Sequence, residues 1–208
     1  MLRSMTRRLA LLAAAHFTID SYSSFYLPLL PLLMQRLGLN YTMVGGLVAL
    51  GSMSSSFSQP LFGLVSDRMG RPWFVALGPM VAAIFLSGIG AAPSYGALVT
   101  LLVLGGVGVA AFHPQTASLA GTSGPRRALA MSIWITGGTL GWALGPMFAT
   151  TAVRVLGLGR TWMAAFPGVA LSLGLLLWLR REKSLPHAER VRTRVSDLLP
   201  VARPLGLL

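Results

Sequence analysis

Apolar residues run along this chain in six blocks, at about 9–34, 42–65, 73–92, 96–120, 128–150 and 162–180, separated by short connections rich in polar residues, glycine and proline. A helix needs roughly 20 mainly apolar residues to cross the hydrocarbon core of a bilayer, and each block is close to that length or longer. The stretches from Val75 to Ala92 and from Ala97 to Ala111 hold no charged side chain. The solvent for much of the chain is therefore lipid. The pattern predicts an all-α membrane protein of six transmembrane helices.

What lies outside the blocks completes the domain organisation. Residues 1–180 form the six-helix unit, and 181–197 are polar and basic, read as a cytoplasmic linker. From Leu198 the chain turns apolar again, but Pro200, Arg203 and Pro204 interrupt it and it is too short to span. It reads as the incomplete start of a seventh helix. At the other end, Arg3, Arg7 and Arg8 precede Leu9 to Ala15 in the manner of a signal peptide. Hydrophobicity resumes beyond Ile19, so the block is read as a retained helix.

Composition supports lipid as the solvent, with 54% hydrophobic and 11% charged residues and a mean hydropathy of +0.69. These values exclude a disordered chain and argue against a water-soluble globule. A formal net charge of +12 invites a nucleic-acid reading, but the cations sit at the ends of the apolar blocks and form no binding face. Arg3, Arg7, Arg8, Arg68, Arg71, Arg126, Arg127 and the basic tail fall on one side, with only Arg36, Arg154 and Arg160 on the other. The positive-inside rule then places both termini in the cytoplasm, with the chain integral to the cell (inner) membrane. There is no cysteine, hence no disulfide, thiol nucleophile or lipidated thiol.

Laid against itself, the chain superposes Pro28 on Pro114, Gly51 on Gly137, Pro60 on Pro146 and Phe62 on Phe148. After a small slip it superposes Gly70 on Gly159, Arg71 on Arg160 and Trp73 on Trp162. Ordered coincidences of Pro, Gly and Trp point to two three-helix repeats. Three crossings separate equivalent positions, so the repeats are inverted, a construction found in secondary transporters.

The chemistry concentrates in few places. His16 and Asp20 lie one turn apart on one face of the first predicted helix, continued by Ser23 and Ser24. A carboxylate in hydrocarbon is costly, so an intramembrane Asp is a functional candidate facing a cavity. With His16 it is the expected proton-coupling pair, the plain alternative being a protonated Asp in a helix-packing hydrogen bond. In the fourth predicted helix, Phe112-His113-Pro114-Gln115 joins a titratable ring to an expected helix break, as Pro28 and Pro31 do in the first. His113, Gln59, Ser52, Ser55, Ser24 and Thr116 are the expected substrate-cavity residues. In the fifth, Gly137, Gly138, Gly141, Gly145 and Pro146 make a small-residue face, and Pro146 deprives the Trp142 carbonyl of its helical partner.

Between the second and third predicted helices stands Gly63-Leu64-Val65-Ser66-Asp67-Arg68-Met69-Gly70-Arg71. Gly63 is suited to close helix approach, Gly70 to a turn, and Asp67 to capping or pairing with Arg68 and Arg71. This run resembles the G-x-x-x-D-R-x-G-R signature of the major facilitator superfamily. Gly141 to Pro146 resembles the antiporter motif of its efflux branch, although Ala149 and Thr150 replace the glycine pair that follows there. His16-Phe17-x-x-Asp20, Leu27-Pro28-Leu29-Leu30-Pro31 and Phe112-His113-Pro114 together resemble the superfamily's fosmidomycin-resistance group.

That resemblance implies the amino-terminal six-helix half of a twelve-helix, proton-coupled drug exporter. Its implied partners are the lipid bilayer, protons, a small-molecule substrate, and either a second copy or a complementary six-helix half. A homodimer is expected to use the Gly137, Gly141 and Gly145 stripe. The rival class is a non-transporting membrane-binding or assembly subunit, or an inactive transporter fragment. No Gly-x-Ser-x-Gly elbow or His-Glu-x-x-His pair is present, so no enzyme activity is assigned, nor any cofactor or metal.

Overall fold

The computed structural model describes residues 2–69, 71–123 and 126–182; Gly70, the linker beyond Glu182 and the apolar segment 198–208 lie outside the described residues. Among the described residues every regular element is helical. The α-helices are α1 (Leu2–Ser23), α2 (Leu30–Leu37), α3 (Tyr41–Arg68), α4 (Phe74–Ser87), α5 (Tyr95–Gly121), α6 (Arg127–Leu156) and α7 (Ala165–Arg181). Among the described residues, four helical segments are long and apolar enough to cross a membrane: Phe74–Ala91, Tyr95–Gly121, Arg127–Leu156 and Leu158–Arg181.

The first predicted helix is divided. α1 stops at Ser23, and a tight 3₁₀ turn over Leu27–Leu29 leads into α2. Pro28 and Pro31 lack the N–H groups that an uninterrupted helix needs there, and Pro28 fits the first turn of the new element. Pro114 behaves otherwise, because α5 continues through it without a break. Thr116 donates its hydroxyl to the Phe112 and His113 carbonyls, so side chains supplement the ladder there.

The helix ends are marked by local chemistry. Asn40 accepts from the Met43 N–H to start α3, and Ser94 accepts from the Ala97 N–H to start α5. Gly38 ends α2 with a positive φ of 64°, which a Cβ would oppose. Arg36 reaches across to the Gly90 and Ala92 carbonyls and ties α2 to the turn after α4.

Packing pairs α1 with α6, α3 with α5, and α4 with both α5 and α7. Where the helices touch most closely, glycine replaces side chain by backbone. A Cβ on Gly108 would lie 2.9 Å from the Ala82 nitrogen, and one on Gly137 would lie 2.6 Å from the Ala13 carbonyl oxygen. Gly141 and Gly145 are likewise pressed on Phe17 and Ser21 of α1. The stripe expected to serve a homodimer is therefore used inside the chain, since the close backbone approach it permits has already been made. Gly63 is not so constrained, its nearest non-local atom being the Pro114 Cβ at 3.8 Å from an added methyl.

Outward positions of α3 and α6 are apolar and open, among them Phe57 at 73% and Met147 at 65% exposure. Water would penalise a surface of this kind, whereas hydrocarbon does not. The core between the helices is filled by Leu12, Ile19, Phe25, Leu98, Phe112 and Leu175, all essentially inaccessible.

Candidate functional site

His16 and Asp20 project from one face of α1 because they are four residues apart, and His113 meets them from α5. His16 Nε2 lies 3.2 Å from Asp20 Oδ2, and His113 Nε2 lies 3.4 Å from Asp20 Oδ1. Each carboxylate oxygen thus has its own imidazole.

Backbone carbonyls orient both rings. His16 Nδ1 donates to the Trp134 carbonyl oxygen at 2.8 Å, and His113 Nδ1 donates to the Val109 carbonyl oxygen at 2.9 Å. A carbonyl oxygen has no hydrogen to give, so Nδ1 carries the hydrogen in each ring. A neutral ring then presents a bare Nε2 lone pair to Asp20. The Trp134 indole stacks on His16 with ring centroids 3.9 Å apart, and His113 meets His16 edge-on.

Gly138 makes room for this arrangement. It follows Trp134 by one turn on α6, and a Cβ there would sit 2.7 Å from Asp20 Oδ2. Trp134, Gly138, Gly141 and Gly145 are all buried and form one face of α6, applied to α1. The glycines are legible in the sequence as a packing face, and Trp134 belongs to the same face. The helical spacing from Trp134 to the glycines was the available signal.

Asp20 and His113 stand on the wall of a cavity of about 210 Å³, whereas His16 lies behind them. Ser52, Ser55 and Gln59 of α3 face the same space, with Ser23 of α1, Tyr26 of the turn that follows it and Trp142 of α6. Two residues expected there are elsewhere. Ser24 is fully buried and donates to the Trp142 carbonyl oxygen at 3.0 Å, and Thr116 is fully buried against its own helix.

The turn carrying the acidic and basic signature is held from a distance. Gln115 of α5 donates to the Ser66 hydroxyl at 2.8 Å and accepts from the Val75 N–H at 3.2 Å, clamping the end of α3 to the start of α4. Asp67 and Arg68 are exposed, and Arg71 lies over the Trp73 ring at 6.0 Å. Among the described residues Asp67 makes no ion pair, and Trp73, which precedes α4, gives that helix no side-chain cap. Pro146, inside α6, leaves open the carbonyl that Ser24 engages.

The model of the Major Facilitator Superfamily matches residues 12–205. The chain belongs to that superfamily. Over 194 residues it is 29% identical to the fosmidomycin resistance protein of Escherichia coli (strain K12), covering 91% of this chain and 48% of the relative. Over 165 residues it is 28% identical to an uncharacterized MFS-type transporter, YfnC, of Bacillus subtilis (strain 168), covering 78% of this chain and 40% of the relative. The chain thus spans about half the length of the curated relatives it matches. As a member of the Major Facilitator Superfamily it is an integral membrane protein of a transporter family, and not an enzyme.

Proposed function

We propose that this chain is a six-span unit of a proton-coupled secondary transporter that exports a drug or other small organic molecule. The observation that carries this reading is the Asp20 carboxylate, set between two imidazoles on the wall of a cavity. The other acids of the chain, Asp67, Glu182, Glu189 and Asp197, fall outside the apolar blocks. A carboxylate with imidazole neighbours can exchange protons as the exposure of the cavity changes, and that exchange is the coupling step. Ser52, Ser55, Gln59 and His113 offer polar contacts for substrate within a mainly apolar space.

The six crossings are α1 with α2, then α3, α4, α5, α6 and α7, with both termini cytoplasmic in the inner membrane. The contact pattern supports an inverted repeat. The first helix of one unit packs on the second of the other, α1 on α6 and α5 on α3, while the third packs on the third, α4 on α7. The open apolar faces of α3 and α6 suit a second six-span unit, from another copy or a complementary chain.

The test is flux in proteoliposomes of the assembled transporter against an imposed pH gradient, with ligand binding measured in parallel. Asp20→Asn is expected to retain ligand binding and lose gradient-driven flux, and His113→Ala to weaken substrate recognition. Gradient-driven transport unchanged in Asp20→Asn would remove Asp20 from the mechanism.

A further inference from the structure

The geometry points to a binding site for one divalent transition-metal ion, of the Zn²⁺ class, formed by His16 Nε2, Asp20 and His113 Nε2. The inference rests on ligand geometry and holds whether or not the chain moves protons.

The three ligand atoms lie within 4.8 Å of one another, with the two histidine–carboxylate distances at 3.2 and 3.4 Å. Tetrahedral zinc takes nitrogen and oxygen ligands at about 2.0–2.2 Å, which separates neighbouring ligand atoms by about 3.3–3.6 Å. The two histidine–carboxylate distances, one to each oxygen of Asp20, fall on that edge or within about 0.1 Å of its nearer limit. Two imidazoles and one carboxylate with room for a further ligand are a set that suits zinc and its first-row neighbours.

The surroundings independently match those of a metal site. Ligating histidines usually donate their second ring N–H to a carbonyl or carboxylate, which sets the tautomer and aims the lone pair at the ion. Both rings here do so, to Trp134 and Val109. Stacking on Trp134 and the close contact with Gly138 hold His16 in place, so the ligands are positioned before the ion arrives. With both imidazoles neutral, two lone pairs and a carboxylate converge with no donor between them, and a cation at their centre resolves that conflict. Among the described residues no Lys or Arg lines the adjoining cavity, and none competes for Asp20 there. Asp20 and His113 border the cavity, which leaves space for water or a ligand oxygen to complete the shell.

The experiment is equilibrium dialysis of Zn²⁺ against the detergent-solubilised chain at neutral pH, purified without a histidine tag. The absence of cysteine removes thiol background. One saturable Zn²⁺ per chain is expected, weakened about tenfold or more by Asp20→Asn and by His113→Ala, and unaffected by His187→Ala, the remaining histidine of the chain, which lies in the polar segment 181–197. X-ray absorption on the zinc-loaded wild type needs no variant and is expected to show a four-coordinate nitrogen and oxygen shell that includes two imidazoles. An absence of saturable binding, a zinc shell without imidazole, or undiminished binding in both site variants would each overturn the site. If zinc does not bind while Asp20→Asn still abolishes flux in chelator-treated liposomes, the cluster serves protons alone. If zinc binds while that variant transports normally, the metal site stands and proton coupling at Asp20 fails.

Discussion

The Ser24 hydroxyl donates to the carbonyl oxygen of Trp142 across 3.0 Å, joining the end of α1 to the middle of α6. Trp142 is the residue whose helical acceptor position faces Pro146, which has no N–H to offer. A proline in one helix thus creates the acceptor that a serine in another helix fills. Ser24→Ala is expected to destabilise the chain by about 1 kcal/mol, the usual size of an interhelical hydrogen bond in a membrane protein. In a Pro146→Ala background the cost of Ser24→Ala is expected to fall, because the restored N–H satisfies Trp142. Unfolding of the four variants in detergent, read as a double-mutant cycle, measures this; equal costs in both backgrounds would show that the two positions are uncoupled.

Gly138 and Gly63 offer a second contrast. Gly138→Ala brings a methyl group to 2.7 Å from Asp20 Oδ2 and closer still to the His16 ring, whereas Gly63→Ala meets only Pro114 at 3.8 Å. Overpacking of this kind costs about 1–3 kcal/mol. Gly138→Ala is expected to lower the melting temperature and displace the cluster. Gly63→Ala is expected to be neutral or slightly stabilising, since alanine favours a helix over glycine by about 1 kcal/mol. Thermal melts of both variants decide it.

Gln115→Leu is expected to loosen the turn between α3 and α4. The substitution removes the donor to Ser66, while the Val75 N–H keeps its second acceptor, the Pro72 carbonyl. The loss is expected to be about 1 kcal/mol. Its specific signature is faster proteolysis within 69–73, with the remainder of the cleavage pattern unchanged.

Orientation is open to direct measurement because the chain has no cysteine. A cysteine replacing Arg126 is expected to react with a membrane-impermeant reagent only after cells are opened, and one replacing Arg154 to react in intact cells. Labelling of the Arg126 position from outside would invert the topology.

Block lengths, the absence of charge within the blocks and the placement of arginines were legible without coordinates, because they report the solvent, and a residue's polarity needs no knowledge of its neighbours. The pairing of His16 with Asp20 was equally legible, since four residues make one turn of any helix. The break after Ser23 followed from two prolines, whereas the same reasoning at Pro114 expected a break that α5 does not have. Most of the candidate site lay beyond such reasoning. His113 reaches Asp20, Trp134 covers His16, and Ser24 turns from the cavity to Trp142, because of how each helix is rotated about its axis. A helix that is apolar all round carries little mark in its sequence of which face meets protein and which meets lipid. Rotation is decided by where glycine lets backbones touch, and that depends on the partner helix as much as on the glycine. The sequence by itself determined the solvent, the helices and the acid at their centre; tertiary packing decided which side chains that acid would meet.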